Sequence, residues 1–232
     1  MYIPMSEIDY AEQVAKNALD IKAIKLNPDN PFQWASGFRM PIYNDNRMFL
    51  SEPVYRDIVT KAFIDLVEEA VPDHARVIAG TSTAGIPWAS YITDRTGDPM
   101  IYIRDKPKSH GLKNQIEGID AESDLGGRRV VVIEDLISTG GSSARAVQAV
   151  RDANGDCNHC ISVFNYGLDK GVEAFDTLDP KCNVSSVLTY DTLLKVAKDT
   201  GYLNSDQVKL LEDWRADPFG WGEKNGFPKV EK

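Results

Sequence analysis

Two carboxylates and a run of small hydroxyl residues stand together at residues 134–143, E-D-L-I-S-T-G-G-S-S. Consecutive backbone N–H groups in a Gly-rich turn that opens a helix form a concavity suited to a phosphate. Glu134 and Asp135 would repel a bare phosphate. Beside such a turn they imply a ligand that also offers hydroxyls, as a ribose does, or that carries a metal ion. The combination reads as a site for a phosphorylated sugar. A second turn of the same kind, G-T-S-T-A-G-I-P at residues 80–87, supplies a second candidate anion site. A third group lies in residues 104–118, where Arg104, Lys106, Lys108 and Lys113 outnumber Asp105 and Glu117 around His110. A basic segment flanked by Gly111 and Gly118 has what a lid over a polyanion needs. Its cations would neutralise a departing group, and His can move a proton near neutral pH. Composition alone favours a solvated surface loop, which charge-rich stretches usually are.

These groups need rigid elements to hold them. Val130, Val131, Val132 and Ile133 run straight into the acidic pair. Such a run reads as a buried parallel strand, whose carboxyl end is where open α/β sheets place ligands. An A-R-A-V-Q-A-V helical pattern follows the hydroxyl turn. Residues 76–79 predict a strand before the second turn, with a helix at about 87–94 whose start tolerates Pro87. Further strands are expected at 100–103, 159–164 and in V-S-S-V-L-T-Y, and helices at 6–23 (after a Ser6 cap), 52–71, 190–200 and 206–215. Strands alternating with helices imply a mostly parallel sheet flanked by helices. Residues 25–50 are rich in Pro, Asn and Asp but also hold Phe32, Trp34, Phe38 and Tyr43. Those rings either pack on the first helix or cover a flat ligand. The tail from about 217 reads as irregular.

The chain of 232 residues, 42% hydrophobic and 26% charged, fits one α/β domain with a sizeable core. A net charge of −9 argues against nucleic-acid and anionic-membrane partners. With no run of about 18 apolar residues and no basic-then-apolar leader, a cytoplasmic location is expected. Three cysteines make no disulfide framework, and Cys157 and Cys160 in C-N-H-C lack the second pair of a structural zinc site, so reduced thiols are expected. The signatures G-x-x-x-x-G-K-[ST] and G-x-G-x-x-G after a first strand are missing, which argues against kinase, NTPase and dehydrogenase readings.

The stretch V-V-V-I-E-D-L-I-S-T-G-G-S-S resembles the phosphoribosyl-pyrophosphate (PRPP) motif of the type I phosphoribosyltransferases. The R-x-x-x-K-x-H-G core of residues 104–118 resembles the catalytic loop of the orotate phosphoribosyltransferase family. W-A-S-G-F-R-M-P-I-Y-N-D-N-R resembles that family's orotate-side segment, and G-T-S-T-A-G-I-P its pyrophosphate loop. F-N-Y-G and Y-D-T-L-L further along also fit, so the resemblance covers most of the chain.

The resemblance implies a type I phosphoribosyltransferase fold over residues 1–232. It would have a hood at about 25–50, a catalytic lid at 104–118 and an irregular tail from about 217. It implies that orotate and PRPP give orotidine 5′-monophosphate and pyrophosphate, with Mg²⁺, in pyrimidine biosynthesis. Glu134 and Asp135 would bind the ribose hydroxyls. Ser138, Thr139, Gly140, Gly141 and Ser142 would cradle the 5′-phosphate, with Leu136 and Ile137 also binding PRPP. Thr81, Thr83 and Gly85 would meet the pyrophosphate together with the lid residues Arg104, Lys108 and His110. Ser138, Ser36 and Tyr43 would contact orotate, Asp135 would join the lid residues as catalytic, and no residue is assigned as a metal ligand. Family members are homodimers whose lid closes over the neighbouring subunit's site, so the lid residues would act in trans. Asp105 follows Arg104 where the lid often has lysine, and Ala35 and Ala84 stand where some members carry lysines, which alters the expected charge contacts. The rival readings are a phosphoribosyltransferase for another base and a non-catalytic regulator on the same fold.

Overall fold

The structure is a computed structural model that describes residues 9–34, 36–106, 115–120 and 123–231. Helix α1 (Tyr10–Asp20) leads into four short strands, β1 (Ile24–Leu26), β2 (Phe32–Gln33), β3 (Arg39–Met40) and β4 (Ile42–Asn44), and a 3-10 turn (Asn46–Ser51). Then come α2 (Pro53–Ala70), β5 (Arg76–Thr81), α3 (Gly85–Thr96), β6 (Met100–Ile103), β7 (Ile116–Glu117), β8 (Arg129–Ile137) and α4 (Gly141–Asp152). The chain continues through β9 (Asp156–Asn165), α5 (Asp169–Asp176), β10 (Asn183–Thr189), α6 (Tyr190–Asp199), α7 (Ser205–Ala216) and α8 (Trp221–Lys224).

The main sheet has the order β10-β9-β8-β5-β6-β7, parallel except for β7. Side-chain alternation divides the apolar run of β8 between two cores. Val131 and Ile133 face the core built with α1, α2, α3, α6 and α7, while Val130 and Val132 face the one built with α4 and α5. Both sheet faces are therefore covered, as the continuous hydrophobic strands require. The three cysteines are buried free thiols, and burial pushes that of Cys157 up to about 12.

Several boundaries differ from the sequence expectation, each for a local reason. Asp9 caps α1 by accepting from the Glu12 N–H at 3.1 Å, and the expected Ser6 cap lies outside the described residues. Helix α3 begins at Gly85, before Pro87, because a first-turn proline lacks only an N–H that would have no helical partner. Strand β8 runs on through the acidic pair to Ile137. Its pairing with β5 stops at Gly80↔Ile133, while its pairing with β9 continues to Ile137↔Asn165. Residues 134–137 thus project past β5 and open one side of the strand as a crevice.

The segment after β6 returns to the sheet as the antiparallel strand β7. The tail, expected to be irregular, forms α8 and buries Trp221, which stacks on Phe227 at 6.0 Å. The Val230 N–H donates to the Gly37 carbonyl at 3.0 Å, so the tail closes onto the hood. Among the described residues, no helix is long and apolar enough to cross a membrane.

Candidate active site

Glu134 ties the two small-residue turns together. Its Oε1 accepts from the Thr81 hydroxyl at 2.9 Å and from the Asp135 N–H at 2.9 Å, and its Oε2 accepts from the Ser143 hydroxyl at 2.9 Å. Asp135 is held differently. Its backbone carbonyl accepts from Asn46 Nδ2 at 2.9 Å, but its carboxyl oxygen Oδ1 is buried without a partner. Burial, and then the charge of Glu134, push its pKa up to about 7. The indole N–H of Trp88 opposes that shift but stops short of a hydrogen bond, since Trp88 Nε1 is also buried without a partner.

The hydroxyl turn closes through Gly140, whose φ of 71° is left-handed backbone suited to glycine. Helix α4 has no side-chain cap, so its first-turn N–H groups keep their capacity for an anion. Helix α5 crosses this turn closely. A Cβ on Gly140 would meet the Gly171 carbonyl oxygen at 2.9 Å, and one on Gly171 would meet the Ser138 carbonyl oxygen at 2.8 Å. Two glycines therefore set how near α5 sits to the turn.

Two cavities lie at this strand end; Glu134 lines the first, and Asp135 lines neither. A polar one of about 130 Å³ is lined by Thr81, Ser82, Arg104, Glu134, Ser142 and Arg145 among others. A flatter, apolar one of about 470 Å³ is lined by Gln33, Trp34, Ser36, Tyr43, Asn44, Leu136, Ser138 and Tyr166. Leu136 lines both and divides them. Trp34 is fixed by its indole N–H donating to the Ile42 carbonyl at 2.9 Å, and its ring lies 6.1 Å from Tyr166. The other hood rings pair Phe32 with Tyr43 and Phe38 with Phe219 of the tail.

The base of the lid is clamped. The Arg104 N–H donates to the Gln115 carbonyl at 2.9 Å, and Gln115 Nε2 donates to the Arg104 carbonyl at 2.7 Å. Arg104 also lies 3.4 Å from Glu117.

Of the residues singled out from sequence, Thr81, Arg104, Glu134, Leu136 and Ser142 meet at the polar cavity, and Ser36, Tyr43 and Ser138 at the apolar one. Ile137 turns its side chain into the core, leaving only its backbone at the site. Thr139 and Thr83 are exposed and line neither cavity. Gly85 is buried where a Cβ would strike the Ile133 carbonyl and the Thr81 hydroxyl, so packing alone requires glycine there. Lys108 and His110 lie outside the described residues. Among the lining residues not singled out are Arg145, Asn44 and Tyr166. Arg145 was signalled by its spacing, one helical turn beyond Gly141, and Asn44 and Tyr166 by lying within the family-like stretches W-A-S-G-F-R-M-P-I-Y-N-D-N-R and F-N-Y-G. Among the described residues, no three His, Cys, Asp or Glu side chains converge as a metal cage. The partnerless oxygen of Asp135 fits hydroxyls or a cation that arrive with a ligand.

A strand-end acidic pair and hydroxyl turn on this parallel sheet define a type I phosphoribosyltransferase domain. Residues 47–196 match the phosphoribosyl transferase domain family. The chain is 42% identical to an orotate phosphoribosyltransferase of Listeria innocua over 91% of this chain and 98% of that one. It is 46% identical to that of Bacillus subtilis over 88% and 92%. The crystal structure of the Aeropyrum pernix orotate phosphoribosyltransferase superposes with a TM-score of 0.66 at 25% identity, covering 82% of this chain and 99% of that one. The chain belongs to the orotate phosphoribosyltransferase family.

Proposed function

We infer that this chain transfers ribose 5-phosphate from PRPP to orotate, giving orotidine 5′-monophosphate and pyrophosphate in pyrimidine biosynthesis. The observation that carries the assignment of roles is the pair of cavities divided by Leu136, polar with Glu134, Ser142 and Arg104 on one side and apolar under Trp34 and Tyr166 on the other. Phosphoribose and pyrophosphate suit the first and a planar base the second, with Leu136, next to the acidic pair in the strand, between them.

In this reading the α4 turn holds the 5′-phosphate through N–H groups. Glu134 is already fixed by Thr81, Ser143 and the Asp135 N–H, so it presents a rigid carboxylate edge to the ribose. Asp135, with an unspent acceptor, takes a hydrogen bond from a ribose hydroxyl and holds the anomeric carbon in line with the base nitrogen. As the C–O bond to pyrophosphate breaks, positive charge grows on the ribose, as in glycosyl transfer. Arg104, and Lys108 and His110 of the lid, offset the charge on the departing pyrophosphate, and the closed lid excludes water. The carboxylates of Asp135 and Glu134 would lie beside a Mg²⁺ arriving with PRPP, which would supply further charge neutralisation. Beyond its base at Arg104, which lines this chain's own cavity, the lid with Lys108 and His110 acts on the partner's site in a homodimer.

Purified protein with Mg²⁺ is expected to consume orotate, followed by its ultraviolet absorbance, only when PRPP is present. Turnover of hypoxanthine or uracil in place of orotate would overturn the base assignment. Mixing inactive Lys108→Ala and Asp135→Ala proteins is expected to restore part of the activity through heterodimers. No recovery after confirmed subunit exchange would remove the trans role of the lid.

A further inference from the structure

The wall of the apolar cavity holds a side chain whose hydrogen bonds are unspent. Asn44 ends β4, which is fixed against β1 in the register Ile24↔Asn44 and Leu26↔Ile42. Along β4, Ile42 is buried, Tyr43 turns outward to 40% exposure, and Asn44 turns inward again. The next N–H, of Asp45, donates to the Ala23 carbonyl at 2.8 Å, so the backbone on both sides of Asn44 is held. Yet both carboxamide atoms, Nδ2 and Oδ1, are buried without a hydrogen-bond partner. Native proteins rarely leave a buried amide unpaired at both ends, because each unmade bond costs its desolvation. Asn46, two residues on, is at least half satisfied, with its Nδ2 donating to the Asp135 carbonyl at 2.9 Å and only its Oδ1 without a partner. Gln33 and Ser36, at the cavity rim, are exposed to water and carry no such cost.

We propose that Asn44 reads the base, its carboxamide pairing in plane with the edge of a pyrimidine ring that places one N–H beside one carbonyl. Nδ2 donates to the ring carbonyl oxygen, and Oδ1 accepts from the ring N3–H. This edge lies away from the ring nitrogen that bonds to ribose, so Asn44 holds the base by its far side while the near side faces the acidic pair. Trp34 and Tyr166 bound the slot, and Asn44 supplies the polar selection they lack. The proposal rests on the base assignment above and names the residue that enforces it. Asn44 is a specificity residue in contact with substrate.

The test compares orotate with 3-methylorotate, which keeps the ring but replaces the N3–H by a methyl group. Two variants are used, Asn44→Ala and Asn44→Leu. The second fills the same space without polar atoms and is expected to melt no lower than wild type. Both are expected to raise the KM for orotate by about tenfold or more and to leave the KM for PRPP within about twofold. The ratio of kcat/KM for orotate over 3-methylorotate is expected to fall by at least about tenfold, a readout that a merely structural role would not move. A folded variant that keeps the wild-type ratio overturns the proposal. Absence of orotate turnover by the wild-type protein defeats the base assignment itself, a result recognisable before any variant is made.

Discussion

The two ends of the main sheet bury aspartates in opposite ways. At the amino end, Asp98 is almost fully buried and faces Arg76 at 2.9 Å. Arg76 spends its remaining N–H groups on the carbonyls of Val71 and Val67 and on Glu68. At the carboxyl end, Asp135 meets another carboxylate, and its Oδ1 has no partner. Arg47 is engaged with Asp45 at 2.7 Å. The imbalance extends around Asp135, since Asn44, Asn46 and Trp88 also have buried polar atoms without partners there. One end is closed upon itself, and the other holds bonding capacity back for a ligand. Unsatisfied buried groups lower the stability of a fold and persist where function uses them.

The largest expected effect comes from exchanging the outcomes at the two ends. Asp135→Asn is expected to lower kcat/KM on the order of 10²- to 10³-fold, because an acceptor aimed at the ribose becomes an amide. The same variant should melt above wild type at pH 8. Asp98→Asn should behave in reverse, losing about 3–5 kcal/mol by stranding the Arg76 charge, while kcat of the folded fraction stays near wild type. Denaturation and steady-state rates on both proteins decide this, and a destabilised Asp135→Asn would break the contrast.

The next effect is on pH dependence. Burial beside Glu134 pushes the Asp135 carboxyl up to about 7 from the usual 3.8, so the folded protein holds that proton more tightly than the unfolded chain. Wild-type stability should therefore fall as pH climbs from about 4 to about 7, by up to roughly 4 kcal/mol. Asp135→Asn should lose that component of the slope, which urea denaturation across the range would show. In the free enzyme, kcat/KM for PRPP should rise through an apparent pKa near 7 as the carboxylate forms.

A smaller effect tests how the phosphate turn is placed. A Cβ at Gly171 would press on the Ser138 carbonyl, so Gly171→Ala should raise the KM for PRPP about tenfold and leave that for orotate nearly unchanged. Equal rises for both substrates would mean that α5 supports the whole site. Smallest is Gln115→Ala, which removes one of the two bonds closing the base of the lid. The loss of about 1 kcal/mol of local ordering should appear as a few-fold fall in kcat.

The sheet was legible in the sequence because its strands carry their own signal. The β-branched run at Val130–Ile133 and the apolar run of β9 are buried on both faces, that of β6 on one, and no distant partner is needed to recognise them. The hydroxyl turn and Arg104 were legible for the same reason, as local composition with a direct chemical meaning. What escaped depends on contacts between residues far apart. Nothing near Asn44 says that its amide will be left unpaired, and nothing near Gly171 says that it will meet Ser138. The α8 turn was missed because its burial comes from stacking Trp221 on Phe227 under the hood, while composition there favours loop.

The bond from Val230 to Gly37 has a further consequence. The phosphate turn is short-range structure, built between one strand and the helix that follows it. The base-side wall joins residues 32–44 to residues 217–231, with Phe38 against Phe219 and the Lys229 ammonium over the Phe38 ring. Such distant closures carry a larger ordering entropy and open more readily than the strands beneath them. Partial unfolding should therefore strip the enzyme of its choice of base before it loses its grip on the sugar phosphate. Mild heat or denaturant would then pass through a population that still binds PRPP and no longer distinguishes what is offered to it.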